Sequence, residues 1–309
     1  MNKRNIRWFN LIMSVFLLGN VLLLGSCRKN PTFDQGYYIY EDDTFTKVDN
    51  VNGIIIHWAD DIEISEEQKS VICSLVANMV PVYAGSFIMG AQCIDGQGNN
   101  YVPEARENES PLHTVRLGDY YIGKYEITQR EWSVVMGYDL EWSDQYGKGD
   151  RIPAYYVSWE EANAFVEKLS AMTRLEFRLP TEAQWEFAAR GGASSLQNLY
   201  SGSNHADEVA WYKGNTGDVL HNVGEKRPNE LGLYDMSGSL WEWCADSYRP
   251  YSANYSQDPC VMSGSPYVLR GGSWTYLPDY CRVTCRDSYG GDASSLSVGF
   301  RVSLTTINN

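Results

Sequence analysis

The stretch from Gly191 to Ser265 sets the hardest constraint on the fold, because it shows almost no helical or alternating apolar period. It is rich in Gly, Asn, Asp and Ser but also carries Trp211, Trp241 and Trp243. A long irregular segment inside a compact domain leaves backbone polar groups without regular partners. It has to be fixed by something else, such as a metal, disulfides or tryptophan packing. Helix bundles and regular sandwiches are excluded on that ground.

Around this stretch the regular elements are short. Four capping boxes open helices: Ser65 with Gln68, Thr128 with Glu131, Ser158 with Glu161, and Thr181 with Gln184. Apolar residues recur at helical spacing behind them, as in Val71, Ile72, Leu75, Val76 and Met79, or Ala162, Phe165, Val166 and Leu169. Brief β-like runs are expected over 82–89, 114–117, 120–125, 267–269 and 300–304. A single α+β domain follows. With 43% hydrophobic and 21% charged residues over 309 positions, disorder is not the default. The net charge of −14 opposes phosphate backbones, so nucleic-acid partners are excluded.

The first residues read as a targeting segment. Lys3, Arg4 and Arg7 precede an apolar run from Leu11 to Leu24, too short to span a bilayer as a mature helix. The run ends Leu24-Gly25-Ser26-Cys27, which resembles a bacterial lipobox and implies lipidation at Cys27. Residues 1–26 are therefore expected to be a lipoprotein signal peptide and 27–64 a weakly structured tether, with one strand-like run at Gly53–Trp58. Residues 65–80 form a leading helix, and 81–305 the main domain. This places the chain in the cell envelope, anchored by lipid to a membrane, expected to be the outer one. The residues after Cys27 leave both periplasmic and outward-facing placement open. Six further cysteines allow many disulfide pairings, and none has Cys-x-x-Cys spacing. Cys73 falls on the apolar face of the first helix, as a buried thiol would.

Several ordered segments together resemble the formylglycine-generating, or sulfatase-modifying factor, family over about 83–304. They include Gly85-Ser86-Phe87-Ile88-Met89-Gly90, Arg178-Leu179-Pro180-Thr181-Glu182-Ala183-Gln184-Trp185-Glu186, Gly232-Leu233-Tyr234-Asp235-Met236-Ser237-Gly238, Leu240-Trp241-Glu242-Trp243, Arg270-Gly271-Gly272-Ser273-Trp274 and Gly299-Phe300-Arg301. The resemblance implies an irregular α+β domain related to the C-type lectin fold, in line with the element pattern.

The resemblance also implies alternative chemistries. A copper oxidase of this family needs two cysteines; Cys281 matches the second, but Tyr276 stands at the first. An iron site is opposed by four scattered histidines, His57, His113, His205 and His221, and no Gly-x-Ser-x-Gly elbow marks a hydrolase. A structural Ca²⁺, carried over residue by residue, would use Asp235, Gly238, Leu240 and Glu242. Arg270, Arg282, Arg286 and Arg301 are expected to pair with core acids such as Glu186 or Glu242.

The segment 275–297 is the informative departure. Twelve of its 23 residues are Tyr, Ser, Gly or Asp, a composition suited to adaptable binding surfaces. It resembles the variable region of diversity-generating retroelement targets, in which template adenines are replaced. Such replacement never yields Lys, Glu, Gln, Met or Trp from an Asn codon, and none of the five occurs here. The leading expectation is an envelope lipoprotein that binds a protein or glycan ligand through Trp274, Tyr276, Asp279, Tyr280, Asp287 and Tyr289. Two alternatives stand beside it: oxidation of a protein cysteine through Cys281, and a structural role in an envelope secretion or gliding machine.

Overall fold

Asn52 and Gly53 both adopt positive φ, at 52° and 89°, the geometry of a tight hairpin turn. Their turn joins two short strands in the computed structural model, which describes residues 37–40 and 48–305. Strands β1 (Tyr37–Tyr40), β2 (Val48–Val51) and β3 (Ile54–His57) pair antiparallel in that order. The segment expected to be weakly structured is thus a small sheet over its described part, because the Asn-Gly turn fixes its register. Cys27 and the expected signal peptide, 1–26, lie outside the described residues. These strands belong to a first compact unit that ends at 64 and includes 172–174; the other described residues, from Ser65, form a second.

The second unit begins with α1 (Glu66–Ala77), β4 (Met79–Val82), β5 (Gly85–Met89), β6 (His113–Leu117) and β7 (Tyr120–Gly123). Helix α2 (Gln129–Met136), α3 (Trp159–Thr173), β8 (Phe177–Arg178) and α4 (Glu182–Ala189) follow. The last strands are β9 (Trp241–Ser247), β10 (Ser256–Gln257), β11 (Tyr267–Arg270), β12 (Arg286–Tyr289), β13 (Val298–Gly299) and β14 (Ser303–Thr305). All four capping boxes form. Thr181 Oγ1 accepts from Gln184 N at 3.2 Å while Thr181 N donates to Gln184 Oε1 at 3.0 Å, and Ser158 and Glu161 exchange the same pair of bonds.

Three small sheets run in the orders β10-β6-β5, β4-β7-β14-β8 and β12-β11-β9-β13. Helix α4 packs among β5, β6, β9 and β11, and all eight of its residues are buried. Its Trp185 and Phe187 form the core with Val115, Ile122, Leu233 and Val268. Strand β9 answers the puzzle of the irregular stretch. All seven of its residues are buried, so both faces are covered and no apolar alternation could mark it.

Four arginines complete the interior, each no more than 2% exposed. Arg301 forks onto Glu242 at 2.6 and 2.7 Å, Arg282 onto Glu109 at 2.8 and 2.7 Å, and Arg286 onto Glu182 at 2.7 and 2.6 Å. Arg270 pairs with Glu186 and donates to the carbonyls of Val283, Thr284 and Cys285. Bidentate guanidinium–carboxylate contacts are among the strongest polar contacts available, and their remaining N–H groups saturate loop carbonyls.

Breaking one such pair strands a buried charge. Arg282→Met is expected to cost about 3–5 kcal/mol in urea denaturation, and the double change Arg282→Met with Glu109→Leu to recover most of it. Equal loss in the single and double variants would show that the carbonyl contacts, not the charges, matter.

Candidate functional site

The candidate face starts from a backbone cradle. Gly272 has φ 73°, and a Cβ there would lie 2.7 Å from the Tyr280 carbonyl oxygen, so only glycine allows the chain to fold back on itself. Trp274 then turns inward: it is 5% exposed, and its Nε1 donates to Leu296 O at 3.1 Å. It props the segment from beneath and does not offer a free surface. Tyr276 packs edge-on against Trp241 and Tyr280, with ring centroids 5.7 and 5.1 Å away.

The other expected contacts are half-buried or exposed. Tyr289 is 43% exposed, while Tyr276, Asp279, Tyr280 and Asp287 are half-buried; Leu277, which is not among them, is 58% exposed. Burial raises the Tyr276 phenol pKa, and Asp287, Tyr280 and Tyr289 push it further the same way, so these four groups share one face. Asp287 and Tyr289 lie on β12, the edge strand of its sheet. Between the exposed positions, residues 281–286 are all buried.

One participant has no signal in the local sequence. Arg106 lays its guanidinium 3.7 Å from the Tyr280 ring centroid and donates to Asp279 Oδ2 at 3.2 Å and toward Cys285 Sγ at 3.3 Å. It comes from a loop more than 170 residues away in sequence, which the Arg282–Glu109 pair and bonds between Asn108 and Arg286 hold here.

The residues do not fit a copper pair. Cys281 is fully buried, its thiol pushed well up by burial, and Cys285 is raised to about 11 by the same cause. Copper needs thiolates. The phenol at position 276 is packed against Trp241 and supplies no soft ligand.

The four residues that the family resemblance implies for Ca²⁺ differ in how free their oxygens are. Asp235 fits: its Oδ2 accepts from Gly224 N at 2.7 Å, while Oδ1 is buried without a partner. Glu242 does not, because Arg301 takes both of its oxygens and Trp185 Nε1 donates to Oε2 at 2.8 Å. A Ca²⁺ ion asks for six to eight open oxygens. As a set, Asp235, Gly238, Leu240 and Glu242 do not form such a cage. Glu126 adds a third carboxyl here, accepting from Ser239 Oγ at 2.8 Å and Leu240 N at 2.9 Å. Burial raises its pKa, and Asp235 and Glu242 add to the rise against Arg301.

Residues 65–306 match the Sulfatase-modifying factor enzyme 1-like domain. The chain belongs to that family. Among its relatives, "Chaperone protein LppX" of Paenibacillus barcinonensis is 30% identical over 239 residues, covering 61% of this chain and 81% of that protein. The "Formylglycine-generating enzyme" of Streptomyces coelicolor is 29% identical, covering 70% and 86%. Among solved structures, "Treponema denticola variable protein 1" superposes with a TM-score of 0.64 at 31% identity, covering 74% of this chain and 95% of that one.

The acidic cluster has a measurable signature. Burial lifts Asp235 to about 6, above its value in the unfolded chain, so the folded state holds the proton more tightly. Its stabilising contribution is present at pH 4 and is lost as pH rises through about 6. Asp235→Asn is expected to raise stability at pH 7.5 by about 2 kcal/mol and to flatten the pH dependence between 5 and 7.5. Calcium or chelator should leave the melting temperature unchanged; a rise with calcium in the parent but not in the variant would show that the cage opens.

Proposed function

We propose that this protein is an envelope lipoprotein whose sulfatase-modifying-factor-like domain binds a macromolecular ligand, protein or glycan, through residues 275–297. The observation that carries the reading is a partition along one short segment. Residues 271–274 and 281–286 are buried and tied to the core, whereas Leu277, Asp287 and Tyr289 stand half-buried or exposed around Tyr276 and Tyr280. Substitution on such a face changes contacts without changing the framework, which suits a surface that varies. Similarity to the Treponema variable protein, and a composition compatible with adenine replacement, support the same reading. Lipid anchoring is supported by the Leu24-Gly25-Ser26-Cys27 sequence and by similarity to a relative named LppX.

Tyr276 and Tyr280 would supply rigid aromatic contact, and Arg106 under Tyr280 a fixed cation at the rim. In this chain Asp279 offsets that cation, which leaves Asp287, among the described residues, as the uncompensated charge of the face.

Deep sequencing of codons 270–302 from one grown population tests the variation directly. Changes clustered at adenine-accessible codons for the exposed positions support the reading, and a uniform sequence in every isolate sinks it. The framework can be tested separately. Leu277→Ser, Asp287→Ser and Tyr289→Ser should each change stability by less than about 0.5 kcal/mol, whereas Trp274→Ala should cost about 3–5. A large loss at Leu277, Asp287 and Tyr289 would mean that the face is structural.

A further inference from the structure

A cavity of about 700 Å³ opens beside β5, away from the exposed positions of the C-terminal face. The loop from Gly96 to Val102 forms one wall, and the segment from Gly192 to Asn204 the other. Its floor holds Phe87 and Phe187, whose ring centroids are 5.1 Å apart. The size is that of a small-molecule site.

The lining is unusual for so acidic a chain. It contains no Asp, Glu, Lys or His, and its one charged group is Arg190. The Arg190 side chain is 6% exposed. Its Nε and Nη2 both meet Glu186 Oε1, at 2.9 and 2.8 Å, and Nη2 also donates to Gly90 O at 3.0 Å; among the described residues no acceptor takes Nη1. Glu186 cannot fully offset it, because its other oxygen belongs to Arg270. Arg270 is shared in turn with Glu182, which Arg286 already holds bidentately. The ladder of alternating charges therefore begins, at the cavity wall, with an arginine that has half a partner.

The rest of the lining is neutral and polar. Asn99, Gln197 and Asn204 are exposed carboxamides at the rim, with Tyr101 and Ser195 beside them. Asn198 is tied to Glu230 at 3.2 Å. Addition of a peptide strand to the edge of β5 is disfavoured, because Asn100 Nδ2 already donates to the carbonyls of Ile88 and Gly90 at 2.7 and 2.8 Å. What remains is an apolar floor for a ring face, amides that both give and accept hydrogen bonds for hydroxyls, and one guanidinium for a carboxylate.

We infer that this cavity is a binding site for a carboxylate-bearing sugar residue, of the uronate or sialate type, held through Arg190. The inference stands apart from the reading of residues 275–297, since of these only Val283 and Thr284, both buried, touch the cavity.

Isothermal titration of the protein with D-glucuronate and N-acetylneuraminate tests it, beside glucose and a short peptide with a free C-terminal carboxylate. At least one acidic sugar should bind saturably, and glucose at least about tenfold more weakly. Arg190→Gln should remove the preference. Because that change touches the buried ladder, Ala193→Trp, which fills the exposed mouth without contacting it, should abolish binding while leaving the melting temperature unchanged. Equal binding of glucose and glucuronate, survival of binding in Ala193→Trp, tighter binding of the peptide, or no binding by either acidic sugar would each overturn the assignment.

Discussion

Buried arginine–carboxylate pairs hold this domain together where secondary structure does not. Each guanidinium has five donors, and one carboxylate cannot use them all. The surplus goes to loop carbonyls: Arg301 to Gly123 and Tyr234, Arg282 to Glu104 and Asp279, Arg286 to Asn108 and Arg249. Irregular backbone thereby finds the partners that a regular sheet would have supplied. Desolvating two ions is costly, and such a pair adds little net stability over a well-packed apolar one; its contribution is to leave only one arrangement in which every charge is met.

That division of labour bears on function. The pairs draw loops from distant parts of the chain to the last third of the sequence and pin them there. Trp274, Arg282 and Arg286 fix the buried backbone beside the half-buried and exposed residues 275–280 and 287–289. The same ladder, followed through Glu186, ends at Arg190 on the wall of the cavity beside β5.

Much of this was legible in the sequence. The four capping boxes announced their helices, because the reciprocal bonds need only two residues three apart. Strands β5, β6, β7 and β11 showed in β-branched and aromatic runs. Strand β9 did not, since burial on both faces erases alternation, and the β1–β3 sheet was underestimated because its one strong signal was the Asn52-Gly53 turn. Of the ion pairs, Arg270 with Glu186 and Arg301 with Glu242 could be guessed from core-like surroundings. Glu109 and Arg106 could not, as their partners lie more than 170 residues away. Glu242 was assigned to an ion on the strength of its place between two tryptophans, whereas in the fold its charge answers an arginine.

The polarity of the four pairs has a consequence at the level of the genetic code. In every one the arginine lies between positions 270 and 301, and the glutamate lies earlier, at 109, 182, 186 or 242. A glutamate codon always contains adenine, but arginine can be written with CGC, CGG or CGT, which contain none. A mechanism that rewrites adenines in the last part of the gene would pass over such arginines, and over the cysteine and valine codons beside them, while reaching tyrosine and aspartate. With its acidic halves encoded outside the rewritten stretch, the core could be inherited intact by every variant.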